Sequence, residues 1–290
     1  MTAEAVYGPI PDPFVTVVVP MYNEADCIAD CARSVLGQDF APLELLVVDD
    51  GSADGSAAIC ESLGVTVLRQ DHQGPGTARN LGARHARGNI LVFADADMVL
   101  APDYARRLVA PIAAAEAIAT CHWDEQVLNW DNPWARCHTY YFGLPERRRQ
   151  PLDPPAGEEV YRAVRKDFFL ASGGMDEHAG RGDDSSVARR TGVLAKIVRG
   201  AVCYHRGPAS WREAFHEAVW SGKNVAVDRR GRLRRGLGSL LATNPLVAVW
   251  KVWPRLQATR EARLPLYAIT YAIGFDVGVL QGLVTGRYVK

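Results

Sequence analysis

An α/β fold with a mostly parallel central sheet flanked by helices is what this sequence predicts, and three observations carry it. Short apolar runs (Val15 to Val19, Leu43 to Val48, Ile90 to Ala94) alternate with segments whose apolar residues recur at helical spacing. Those runs are continuously hydrophobic, as strands covered on both faces are. Each ends in polar residues: Tyr22-Asn23-Glu24, Asp49-Asp50 and Asp95-Ala96-Asp97. Ligands of such sheets sit beyond the carboxyl ends of the strands, so these three ends should meet in one cleft.

Val15 to Val19 is β-branched, and Pro20 should stop that strand. Ala25 to Leu36 places Ile28, Ala32, Val35 and Leu36 at helical spacing, with Gly37 as a stop. A helix is expected over Asp54 to Leu63 with Asp54 as its cap, then a short strand over Val65 to Leu68. After the Gly74-Pro75-Gly76 loop, Thr77 opens a helix, and the Ile90 strand follows. If the backbone stays extended past Ala94, Asp95 and Asp97 point the same way, converging two oxygen ligands suited to Mg²⁺ or Mn²⁺. The alternative is an acidic turn that returns Met98 and Val99 to the core. Pro102 to Ala115 reads as a helix and Ala117 to Trp123 as a strand. Asp124 to Glu159 is less regular, rich in aromatics, Pro and Arg, and is read as a variable segment over the cleft. A strand over Val160 to Arg165, a helix from Ser185 to Thr191 and two short strands (Leu194 to Val198, Ala201 to Tyr204) complete this part.

The totals narrow the classes. The 290 residues are 48% hydrophobic with a formal net charge of zero, an ordinary globular composition without the basic excess of a nucleic-acid binder. The six cysteines are scattered without a CxxC pair, which reads as reduced core thiols in a cytoplasmic protein. The first residues have neither the basic start nor the apolar run of a signal peptide.

Six pieces, in order, carry a resemblance: PMYNE (Pro20 to Glu24), VVDDGSADGS (Val47 to Ser56), GPGTARNLGARHARGNILVFADAD (Gly74 to Asp97), GGMDE (Gly173 to Glu177), GDD (Gly182 to Asp184) and YHRG (Tyr204 to Gly207). Together they resemble the family 2 glycosyltransferases, inverting enzymes of GT-A fold that use sugar nucleotides. The resemblance spans roughly residues 14 to 210. It implies a 1–13 extension, a catalytic domain over 14–210 (nucleotide-binding half 14–100, acceptor half 101–210) and a C-terminal helical segment over 211–290.

The resemblance also implies roles. Asp50 hydrogen-bonds the nucleobase. Pro20, Tyr22 and Glu24 lie beside base and ribose, with Tyr22 a stacking candidate whose alternative is core packing. Asp97 is the principal metal ligand, Asp95 a ribose or metal-water contact, and His205 stands near metal or diphosphate. Arg79, in a first helical turn, is a phosphate contact or a solvated helix face. Asp184 is favoured as the base that takes the acceptor proton, with Asp183 as its rival. The Ser185-Ser186 pair after GDD departs from many relatives and leaves the acceptor side unassigned. A dehydrogenase is excluded because Arg79 occupies the third-glycine position of GxGxxG and the loop does not follow the first strand. A nucleotidyltransferase would carry a glycine- and lysine-rich loop that PMYNEADC lacks.

Beyond the resemblance lie a basic cluster, Arg229 to Arg235, and two apolar runs, Leu237 to Trp253 and Leu264 to Val284. Two readings stay open. Either the runs meet a membrane surface, with Trp211, Arg229 and Arg230 toward an acceptor or lipid phosphate, or they pack on the protein and the arginines are solvated. Asp276 argues against a simple lipid-exposed span. The expected activity, as the resemblance implies it, is metal-dependent transfer of a sugar from a nucleotide donor, UDP-linked in the family's manner, to a glycan or lipid-linked acceptor. The alternative is a polyprenyl-phosphate sugar synthase. The expected place is the cytoplasm, at the inner face of the cell membrane in the membrane reading.

Overall fold

The computed structural model describes residues 7–177, 182–225 and 245–285. The chain forms two compact units: residues up to 125 with 153–205, and residues 126–152 with those from 206 on. Residues 126–152 therefore belong with the C-terminal helices, not with the acceptor half where the motif order put them.

The first unit is built on an eight-stranded sheet of order β3-β2-β1-β4-β7-β6-β8-β5. Its strands are β1 (Val15–Met21), β2 (Leu43–Asp49), β3 (Thr66–Arg69), β4 (Ile90–Phe93), β5 (Met98–Leu100), β6 (Ala119–Val127), β7 (Ala163–Arg165) and β8 (Lys196–His205). The β3-β2-β1-β4 half is parallel, as expected of strands joined by helices. From β7 on, the pairings β4–β7, β7–β6 and β8–β5 are antiparallel. Successive residues of β1 enter opposite cores. Val17 and Val19 pack with Ile28, Val35 and Leu108, whereas Val18 packs with Phe93, Phe169 and Val187.

Two strand expectations change. β1 runs through Pro20 to Met21. Val18 and Pro20 share a parity, and the Val18 carbonyl accepts from Ala94 on the β4 side (3.2 Å). β4 has ended at Phe93 by the level of Pro20, so the missing N–H breaks no ladder bond there. The two short strands near Gly200 are one, β8. Gly200 takes a left-handed φ of +81° and donates to Asp124 Oδ2 (2.7 Å), so the strand bends without ending.

The helices of this unit are α1 (Ile28–Leu36), α2 (Ser56–Ser62), α3 (Pro75–His85), α4 (Tyr104–Ala113), α6 (Lys166–Ala171) and α7 (Ser186–Thr191). α1 starts three residues later than its periodicity, because Ala25 donates to Asp54 Oδ2 (2.9 Å) and holds the loop open. α2 is preceded by left-handed Gly55, and Asp54 Oδ1 accepts from the Ser56 N–H (3.0 Å). α3 lies unusually close to the sheet: a Cβ at Gly82 would come within 2.3 Å of Val18 Cγ1.

The second unit is helical: α5 (Pro133–Tyr141), α8 (Trp211–Val225), α9 (Pro245–Thr259) and α10 (Leu264–Thr285). α5, hidden in the irregular aromatic segment, has Asn132 as its cap, whose side chain accepts from the Trp134 N–H (2.8 Å). α8 and α10 touch backbone to backbone. A Cβ at Gly278 would lie 2.0 Å from the Val219 oxygen, and one at Gly222 would lie 2.1 Å from the Phe275 oxygen. Buried Tyr267 stands 2.8 Å from His138 Nδ1, and Arg136 pairs with Glu261 (2.8 Å). The basic cluster with Arg229 and Arg230 lies outside the described residues.

Candidate active site

The cleft motifs stitch the carboxyl ends of β1 and β2 together. Asn23, at a left-handed φ of 56°, donates its N–H to Ser52 Oγ (2.9 Å) and accepts from the Ala53 N–H (2.8 Å). The Glu24 N–H donates to Ser56 Oγ (2.9 Å). The YNE and DGSADGS segments are thus two halves of one hydrogen-bonded platform.

Asp50 is only 2% exposed. Its Oδ1 accepts from Gln70 Nε2 (2.7 Å) and the Gln73 N–H (2.8 Å). Its Oδ2 accepts from the Gly74 N–H (2.8 Å) and stands 2.9 Å from His72 Nδ1. As placed, this carboxylate clamps the 70–74 loop, and a base could reach it only if one of those donors moved. The loop brings His72 onto Tyr22, with ring centroids 4.0 Å apart and nearly parallel. Tyr22 is exposed, so the core-packing alternative for it does not hold. His72 was not singled out in the sequence, where a lone histidine in a polar loop carries no signal. Pro20 lies half-buried at the same strand end.

The backbone after β4 does not stay extended. Met98 donates to the Asp95 carbonyl (3.1 Å), closing a turn that sends the two carboxylates apart. Asp95 faces two arginines: Oδ1 accepts from Arg79 Nη2 (2.6 Å) and Oδ2 from Arg162 Nη1 (2.9 Å). Burial opposes its ionisation, but Arg162 and Arg79 outweigh that and hold it far below the usual carboxylate range. Arg79 also reaches Asp183 Oδ2 (3.3 Å). It is therefore neither a solvated face nor an open phosphate contact; it is a buried tie between the DAD and GDD segments. Burial pulls its pKa down, and the Asp95 and Asp183 carboxylates more than reverse that.

Its neighbour Asn80 does the same for GGMDE. The amide donates to the Met175 carbonyl (2.9 Å) and accepts from the Met175 N–H (2.8 Å). Gly174, at φ +71°, has no room for a Cβ, which would meet Asn80 Oδ1 at 2.5 Å. One turn of α3 thus gathers three distant motifs.

Asp183 and Asp184 separate into different jobs. Asp183 is buried, faces Arg79 and accepts the Asp184 N–H (2.7 Å); burial pushes its pKa up, against the pull of Arg79. Asp184 is half-buried, and its carboxylate has no partner among the described residues.

Asp97 goes to the other side. The antiparallel pairing of β5 with β8 sets His205 opposite Met98, and His205 Nε2 stands 2.8 Å from Asp97 Oδ2. His205 Nδ1 is 2.7 Å from Oε1 of buried Glu125, which the sequence reading missed. Glu125 behind Nδ1 is the outer-shell partner that metal-binding histidines carry, and as placed Nε2 faces Asp97. No cluster of three ligating side chains occurs among the described residues. Asp97 and His205 are two donors of types suited to Mn²⁺ or Mg²⁺, ions that take further oxygens from phosphates and water. Asp95 fits that role less well, because both its oxygens face guanidinium groups. Glu24 lies close enough to Asp97 and Asp95 to feel them: burial raises its pKa first, and those charges add to it. Trp211 is the exposed first residue of α8, in the second unit.

These motifs and this sheet define a nucleotide-sugar transferase fold, and the sequence pattern of "Glycosyl transferase family 2" matches residues 16–170. The chain belongs to that family. It is 39% identical over 109 residues to the succinoglycan biosynthesis protein ExoO of Rhizobium meliloti, covering 36% of this chain and 31% of that relative. The chain thus spans about a third of that relative's length. Among solved structures, residues 1–349 of S. aureus TarS superpose with a TM-score of 0.55 at 16% identity, covering 96% of this chain and 93% of that one. TarS has also been solved with UDP-GlcNAc. The mannosyltransferase PcManGT of Pyrobaculum calidifontis, in complex with GDP-Man and Mn²⁺, matches with a TM-score of 0.50 at 21% identity, covering 96% and 75% of the two chains. At these identities the structural matches establish the GT-A-type fold alone.

Proposed function

We propose that this chain is an inverting glycosyltransferase that moves a sugar from a nucleotide donor, UDP-linked in the leading reading, to the hydroxyl of a glycan or lipid-linked acceptor. The observation that carries it is how the carboxylates divide. Asp50, Asp95 and Asp183 have their oxygens engaged by the fold, whereas Asp97 and Asp184 keep oxygen open to a ligand among the described residues. Asp184 takes the proton of the acceptor hydroxyl as its oxygen attacks the anomeric carbon and the bond to the diphosphate breaks. Asp97 and His205 would hold a divalent cation, with Glu125 orienting His205. Bound there, such an ion would supply the positive charge that offsets the leaving diphosphate. Tyr22 and His72 offer the aromatic surface for the base. The Mn²⁺ in PcManGT and the UDP-GlcNAc in TarS support this reading, and the likeness to ExoO supports a surface-glycan product. A site at the inner face of the membrane suits a lipid-linked acceptor.

Calorimetry with UDP and Mn²⁺, paired with a donor-hydrolysis screen over nucleotide sugars, tests it. Asp184→Asn is expected to bind UDP like wild type and lose about 10²-fold or more in transfer. Asp97→Ala is expected to weaken Mn²⁺-dependent UDP binding. If both variants bind and turn over like wild type, the assignment is wrong. Transfer surviving in Asp184→Asn favours an acceptor that is already anionic, as in a polyprenyl-phosphate sugar synthase.

A further inference from the structure

α9 is apolar on both sides. Ala248 and Val252 are buried against the second unit. On the opposite side Leu246, Trp250 and Trp253 follow at helical spacing and are 81%, 76% and 51% exposed. A helix hydrophobic all round is ordinarily buried all round. Two largely bare tryptophans on one face are an exposed patch of the kind that marks an interaction surface.

The surroundings select the partner. Exposed Arg260 and Arg263 stand at the turn where α9 gives way to α10, whereas Arg255 reaches inward to the Tyr141 carbonyl (3.4 Å). The acid at that turn, Glu261, is turned inward onto Arg136 (2.8 Å). In the sequence, the Arg229 to Arg235 cluster precedes the helix. Tryptophan and leucine followed by two exposed arginines match the boundary between acyl chains and anionic headgroups. α9 has 15 residues, short of the ~20 a span requires. α10 is long and apolar enough to cross a membrane, yet its Gly274 and Gly278 face lies tight against α8.

We infer that the outer face of α9 is an in-plane anchor for an anionic lipid surface, with Trp250 and Trp253 seated at the headgroup–acyl boundary. The assignment stands apart from the transfer reaction and would hold for any acceptor.

Co-sedimentation of the full chain with phosphatidylcholine vesicles, with and without phosphatidylglycerol, tests it, alongside quenching of tryptophan fluorescence by brominated lipids. Binding to the anionic vesicles with quenching is expected, and Trp250→Ser/Trp253→Ser should weaken it about tenfold or more. The substituted side chains are exposed, so UDP binding and the unfolding midpoint should stay unchanged. The inference falls if wild type ignores anionic vesicles. It falls also if the double variant sediments like wild type while Arg229→Gln/Arg230→Gln does not, since charge alone would then explain binding. A stable dimer in light scattering that the double variant dissolves would instead assign the face to a second copy.

Discussion

Arg79 shows how one side chain ties distant motifs together. Its guanidinium spans Asp95 and Asp183, and Arg162 completes the charge balance on Asp95. Removing the central carboxylate would strand two arginines that are largely out of solvent. Asp95→Asn is therefore expected to cost about 3 kcal/mol or more of unfolding free energy at neutral pH. The pH dependence has a definite sign. The folded-state pKa of Asp95 is depressed, so its stabilisation is complete above the unfolded value near 4 and is lost as pH falls toward the folded value. Urea titrations should show the wild-type advantage over Asp95→Asn constant from pH 7 to about 5 and shrinking below about 4. An advantage that grew on acidification would refute the clamp. The cysteines make a second residue-scale test. Burial pushes the Cys60 thiol up to about 11 and Cys121 and Cys137 to about 12, and it raises Cys31 and Cys203 as well. Cys27 alone of the six is not buried, and its thiol lies 3.0 Å from Glu24 Oε2. Native alkylation followed by mass spectrometry should modify Cys27 first, with the other five reacting only on unfolding.

At the scale of elements, glycine placement decides how closely helices and strands approach. Gly82 lets α3 settle on β1, which brings Arg79 and Asn80 within reach of Asp95, Asp183 and Met175. Gly222 and Gly278 do the same where α8 meets α10. Gly278→Ala would drive its methyl into the Val219 carbonyl, which lies on rigid backbone. The expected loss is about 1–3 kcal/mol, read as a lower unfolding midpoint together with faster hydrogen exchange along α8 and α10. Unchanged exchange in both helices would mean that the crossing is looser than described. UDP binding measured on the same variant would show how far the damage stays within the second unit.

At the scale of the molecule, the parallel half of the sheet and its polar strand ends were legible in the sequence, because β-branched runs and helical periodicity are local signals. So was the ordered motif set that places the chain in its family. The division of the chain was not: residues 126–152 join the C-terminal helices through contacts between segments far apart in sequence. α5 was hidden because aromatic and proline-rich composition masks a helix that Asn132 caps.

What the sequence alone determined was which residue types stand at the strand ends, and hence the chemistry open to them: carboxylates, a histidine, a tyrosine and a small set of cations. Only the tertiary structure decided which carboxylates the fold engages on both oxygens and which keep an oxygen without a partner among the described residues. Asp95 and Asp97, two positions apart, part company because a turn replaces an extended strand, sending one to Arg79 and Arg162 and the other to His205. Asp50 looks open in its motif, yet the 70–74 loop closes over it. Partners such as Arg162, Glu125 and His72 arrive from elsewhere in the chain. Sequence periodicity reports one element's own faces, whereas an ion pair between distant segments depends on register and packing that no local pattern encodes.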